Sequence, residues 1–163
     1  MVMDFDQRLK KAMERGQRRG DVAAQAARAK ALDEEELKRL HSQLRLQLSE
    51  HIEQCVERLS HHFPGFTYET IFGERGWGAA CSRDDVRLSS GRRDNDYSRL
   101  EMTIRPFSEL FVVELIAKST IRNKEVFSRS YFEKIEDADP IKFVELIDVW
   151  VLEYAEMFSA SGQ

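Results

Sequence analysis

The sequence predicts an α+β domain: an antiparallel sheet of four or five strands packed against a long N-terminal helix and a C-terminal helix. Three observations carry that prediction. Apolar residues recur every three or four positions over residues 37–59, the period of a helix with one buried face. They alternate over residues 100–105 and again over 110–118, the period of a half-buried strand. A second helical stripe opens at Asp139-Pro140, a cap followed by a proline where the missing amide costs nothing.

In chain order, residues 1–32 read as a basic helical arm, 33–158 as a single α+β domain and 159–163 as a frayed tail. The arm is rich in Ala, Arg, Lys and Gln, all good helix formers, but Gly16 and Gly20 weaken it. Gly20-Asp21 has the chemistry to end one helix and cap the next. The apolar residues of the arm are Phe5, Leu9 and Met13, followed by alanines that bury little area each. Alone, such a helix is marginal.

The long helix is expected to start at Asp33. Asp33 as N-cap and Glu36 at N3 make a capping box, and Leu32 and Leu37 stand at the spacing of a hydrophobic staple. Leu37, Leu40, Leu44, Leu48, Ile52, Cys55 and Leu59 form its stripe, and Pro64-Gly65 stops it. About 27 residues at 1.5 Å each span about 40 Å. That is more helix than one small sheet needs.

Strands are expected at 68–72, from Gly76 toward Leu88, and at 100–105, 110–118 and 126–135. Ile121-Arg122-Asn123-Lys124 reads as a turn, and the short joints imply an antiparallel meander. Residues 83–101 are the most polar stretch and read as a solvated hairpin loop. In the last helix Phe143, Leu146, Ile147, Trp150, Tyr154, Met157 and Phe158 make the stripe, with Lys142, Glu145, Asp148, Glu153 and Glu156 away from it.

The chain has 25 basic and 29 acidic residues, a net charge of −4, so nothing global draws it onto nucleic acid or an anionic membrane. The balance is uneven: residues 8–30 carry +6, which leaves −10 on the rest. No apolar run reaches the length of a membrane span, and the acidic start lacks the core of a signal peptide. Cys55 and Cys81 make neither a disulfide scaffold nor a zinc site by themselves. They read as reduced thiols of a cytoplasmic protein.

Candidate chemistry is sparse. Asp94, Asp96 and Glu101 offer oxygen ligands to a hard cation, but the spacing is not that of an EF-hand and Arg92, Arg93 and Arg99 compete for the carboxylates. Glu101, Arg105, Glu114, Lys118, Arg129 and Glu133 alternate on strands, as cross-strand ion pairs on a wet face do. A metal-dependent phosphodiesterase would use Glu101, Glu114 and Lys118 on such a surface. Glu57 and His61 share a helix face, where a capping or surface role is expected of the histidines. Cys81 has no sequence neighbour to activate it, and Gly76 and Gly78 beside Trp77 fit a bulge or tight turn, not a phosphate loop. No metal-ligand set and no cofactor are expected.

The best functional hint is the arm, where Arg8, Lys11, Arg15, Arg18 and Arg19, joined by Arg92 and Arg93 elsewhere, offer partner or anion contacts. Leu37, Leu40, Leu44, Leu48, Trp150 and Tyr154 are the expected interface or core. The leading expectation is a self-associating interaction or adaptor domain, with a second copy or another protein as partner. A metal-dependent phosphodiesterase and a non-specific nucleic-acid binder are the alternatives, nucleic acid being disfavoured and membrane excluded.

Overall fold

A computed structural model describes residues 4–162, apart from the side chains of Leu32 and Ser89. The architecture is the expected α+β: a helix α1 (Phe5–His62), a sheet of β1 (Thr67–Ile71), β2 (Trp77–Ser89), β3 (Arg92–Ile104), β4 (Val112–Ile121) and β5 (Lys124–Lys134), and a helix α2 (Pro140–Ala160). The five strands pair antiparallel in sequence order, so the sheet is a meander. The chain divides into two compact units, one up to Arg39 and one from Leu40 onward.

Within the first unit the helix is continuous, against the expected break at Gly20-Asp21 and the expected start at Asp33. Asp33 is an interior helical residue. The helix formers on both sides outweigh a capping box whose residues are themselves compatible with helix. The proposed staple partner Leu32 lies outside the described side chains. Every described side chain from Asp4 to Ala31 is exposed.

In the second unit α1 buries Leu48, Ile52, Val56 and Leu59, while Leu40 and Leu44 are half-buried. α2 begins as read: the Asp139 carboxylate accepts from the Ile141 amide at 3.0 Å, with Pro140 next to it. The helix runs on to Ala160, past the expected tail boundary. Its buried residues include Phe143, Ile147, Trp150 and Tyr154. Strand register assigns both helices to one sheet face. Trp77, Ile104, Leu115 and Tyr131 stand in one cross-strand row, and Ala79, Met102, Ala117 and Arg129 in the next row on that face. Arg45 of α1 stacks over Trp77, its guanidinium 4.1 Å from the ring centre. Arg129 makes a two-armed pair with Glu153 of α2, and Phe143 of α2 meets Tyr131 edge-on. Arg129 and Glu133 therefore point to the helix-covered face. They are not partners of Glu101 and Glu114 on the wet face, because β5 enters the ladder one residue out of phase with the expected row.

The polar stretch 83–101 is not a loop. β2 and β3 run as one ribbon to a tight turn at Ser90-Gly91, both with positive φ (54° and 77°), the geometry that matches strand twist in a hairpin. Beyond β1 and β4 the ribbon pairs with no further strand among the described residues, and what it covers near its base is polar (Asp96 and Ser98), so apolar alternation disappears. Val86 and Leu88 are exposed there, and Arg87 stands directly opposite Asp94. The ribbon is tied to the β4–β5 turn by Asn123, whose amide nitrogen donates to the Asn95 carbonyl at 2.9 Å and whose amide oxygen accepts from Tyr97 N at 2.9 Å. At the other end Gly78 is obligatory: a Cβ there would sit 2.0 Å from the Met102 carbonyl oxygen. Among the described residues no helix is long and apolar enough to cross a membrane.

Candidate functional site

His51 and Cys55 are four residues apart on α1 and so project to the same side of the helix. The buried stripe of α1 fixes which side that is: Ile52, Val56 and Leu59 turn to the sheet, and His51 and Cys55 flank them. On α2 the neighbours Ile147 and Val151 are buried, which sets Asp148 beside α1. The three side chains meet. His51 Nε2 lies 2.7 Å from Asp148 Oδ1, the Cys55 thiol donates to the same oxygen at 3.4 Å, and Cys55 Sγ is 3.5 Å from His51 Nε2. All three residues are half-buried. Among the described residues this is the one His/Cys/Asp/Glu group whose ligand atoms converge, all within 4.8 Å of one another.

A groove of about 590 Å³ opens beside them, lined by Cys55 and Asp148, by the apolar Leu59, Phe63 and Leu152, and by Arg58. Burial, with Asp148 beside it, pushes the Cys55 thiol up to about 11, so the thiol keeps its proton at neutral pH. The arrangement is also wrong for a nucleophilic relay. In a relay one imidazole nitrogen faces the nucleophile and the other the carboxylate. Here Nε2 faces both. The chemistry this trio offers is ligation or hydrogen bonding, not thiolate attack. Cys81 is fully buried and burial pushes it up to about 12, as inert as the sequence suggests.

The sheet carboxylates are placed elsewhere and do not converge. Glu101 bonds Arg75 and Arg99, each at 3.0 Å, and stands opposite Lys118. Glu114 bonds Arg105 at 3.2 Å. Asp96 is buried with Arg122 at 3.4 Å and Arg87 at 3.6 Å, while Asp94 is exposed on the ribbon with Arg92 and Arg93. At Glu101, Glu114 and Asp96 the paired arginines supply the countercharge that a cation would have to displace.

On the arm, Arg8, Lys11, Arg15, Arg18 and Arg19 are all exposed, as are Phe5, Leu9 and Met13. The body carries a complementary feature: Glu50, Glu53 and Glu57 form a row along α1. Burial and then the two neighbouring carboxylates raise Glu53 above the ordinary carboxylate range. No ion pair joins any of the three to a cation among the described residues.

Sequence reasoning missed the His51–Cys55–Asp148 group. It counted Cys55 as apolar stripe and set Asp148 on the outward side of its helix. The His-x-x-x-Cys spacing was the available signal, but the third member lies 93 positions from Cys55. His41 also departs from expectation. It is buried against Phe107, with Nε2 unpartnered among the described residues, and burial lowers its basicity. His61 and His62 do sit exposed in the last turn of α1. No protein-family model matches the chain, and neither a curated protein nor a solved structure matches it.

Proposed function

We propose that this protein is an interaction domain that self-associates through its N-terminal arm, the arm of one copy lying against the acidic row of a second. The observation that carries this reading is the arm itself. From Asp4 to Ala31 every described side chain is exposed, and Phe5, Leu9 and Met13 stand four apart on one stripe that nothing described covers. A helix with two interior glycines and no buried face is poorly stabilised by propensity alone, so a partner surface is what completes it.

Charge selects the partner. Two arms side by side would set +6 against +6. The body of a second copy offers the opposite sign, and the spacing matches. Arg8, Lys11 and Arg15 step by three and four residues, as do Glu50, Glu53 and Glu57. Steering by such rows raises association rates and fixes register more than it adds affinity. Free Cys55 and Cys81 are in keeping with a reducing, cytoplasmic setting.

A charge exchange tests this. Arg8→Glu with Arg15→Glu, or Glu50→Arg with Glu57→Arg, alters only exposed positions and should weaken self-association by about tenfold, at roughly 0.2–1 kcal/mol per exposed pair. All four changes in one chain should restore it. Equal association in every variant, measured by sedimentation at low salt, would overturn the reading. The nucleic-acid alternative makes a different demand: the arm variants would lose salt-dependent binding to DNA or RNA, and Leu9 and Met13 would not matter. The metal-enzyme alternative draws no support from the sheet carboxylates, which do not converge among the described residues, arginines pairing Glu101, Glu114 and Asp96.

A further inference from the structure

We propose that His51 Nε2, Cys55 Sγ and Asp148 Oδ1 form a three-ligand site for a zinc-class divalent cation, with the fourth position reached from the groove between α1 and α2. The site belongs to the body alone and does not rest on self-association.

The geometry is close to that of a tetrahedral centre. Zinc bonds sulfur at about 2.3 Å and imidazole nitrogen or carboxylate oxygen at about 2.0–2.2 Å, which makes the S–N and S–O edges of a tetrahedron about 3.6 Å and the N–O edge about 3.3 Å. The two sulfur edges here are 3.5 and 3.4 Å. The third, between His51 and Asp148, is 2.7 Å, a hydrogen bond that a cation would replace as that edge opens. Only this edge has to move, and Asp148, with nearly half of its side chain exposed, has room to turn.

The donor set selects the metal. A thiolate, an imidazole and a single carboxylate oxygen suit zinc or cobalt(II), whereas magnesium and calcium want several oxygens. Charge favours it too. A thiolate and a carboxylate together neutralise a divalent ion, so the loaded site carries no net charge into a half-apolar groove. Binding displaces to solvent the thiol proton that burial and Asp148 otherwise hold in place. His51 and Cys55 come from one helical turn, and Asp148 comes from the other helix. The cation would therefore clamp α1 to α2.

Cobalt(II) is the direct probe. The full-length protein, stripped of metal, should bind one equivalent and develop tetrahedral d–d bands with a thiolate-to-cobalt charge-transfer band. Zinc should displace the cobalt and raise the thermal midpoint. Cys55→Ser should abolish the charge-transfer band. Asp148→Asn, at a half-exposed position that spares the fold, should weaken cobalt affinity by more than about tenfold, since even outer-shell changes cost 10–100-fold at metal sites. Three results would each overturn the proposal: no cobalt spectrum at millimolar metal, a spectrum unchanged in Asp148→Asn, or binding that disappears in His61→Ala with His62→Ala but survives in His51→Ala.

Discussion

The two halves of α1 are made of similar helix formers and share one unbroken ladder, yet they meet different surroundings. From Leu40 on, the helix buries Leu48, Ile52 and Val56 completely. Before that, it leaves Phe5 74% and Met13 62% exposed. The body half owes its stability to an apolar face against a sheet, and would tolerate poor propensity. The arm half rests on propensity alone, with Gly16 and Gly20 each less favourable than alanine by about 0.8–1.0 kcal/mol. A helix can thus be continuous in hydrogen bonding and still be two objects energetically. The arm is the one whose described side chains are all left exposed.

The largest effect expected from this contrast is in the body. Leu48→Ala removes a fully buried side chain and should cost about 2–5 kcal/mol in denaturant unfolding. Leu9→Ala, the matching change in the arm, should move the same transition by less than about 0.5 kcal/mol at protein concentrations too low for association. Comparable losses at the two positions would erase the distinction between the halves.

A smaller effect separates them by pH. Burial disfavours charged His41, with Arg45 adding to the effect and a hydrogen bond to the Arg105 backbone opposing it, so its folded value lies below the ordinary 6.5. The unfolded chain then binds the proton more readily. His41 favours folding fully above about pH 6.5, and that contribution falls as the pH drops toward the lower folded value, at no more than about 1.4 kcal/mol per pH unit. His41→Leu should flatten this part of the acid limb in urea titrations. An unchanged slope would mean that His41 charges freely in the folded state. The arm has no buried titratable group and should contribute nothing in this window.

The fold was legible where burial imposes a period. The stripes of α1 and α2 and the alternation of β4 follow from one face being covered, while the Arg122-Asn123 turn and the Asp139-Pro140 cap carry their own local chemistry. Legibility failed where neither face, or more than one chain segment, sets the pattern. The distal ribbon of β2 and β3 is exposed from Val86 to Asn95 among the described side chains, and the residues it covers nearer its base, such as Asp96, are polar, so Arg83 to Asp96 shows no apolar alternation, although Ser90-Gly91 marks its turn. Asp33 offers a cap, but a cap is optional when the preceding residues can stay helical. The His51–Cys55–Asp148 group was half legible: two members share a helix face by spacing, and the third arrives only through the packing of α2. The acidic row and the basic row were both in the sequence, but their exposure was not.

Absolute solution mass by light scattering, across a wide concentration range, reads arm-mediated self-association directly in the parent chain and in Leu9→Glu with Met13→Glu. The parent should approach twice its 19.0 kDa as concentration rises, added salt should lower the mass, and the doubly substituted arm should stay at the mass of one chain with its body fold intact. A parent that remains at 19.0 kDa throughout, or a substituted arm that associates as well as the parent, would contradict self-association through the arm.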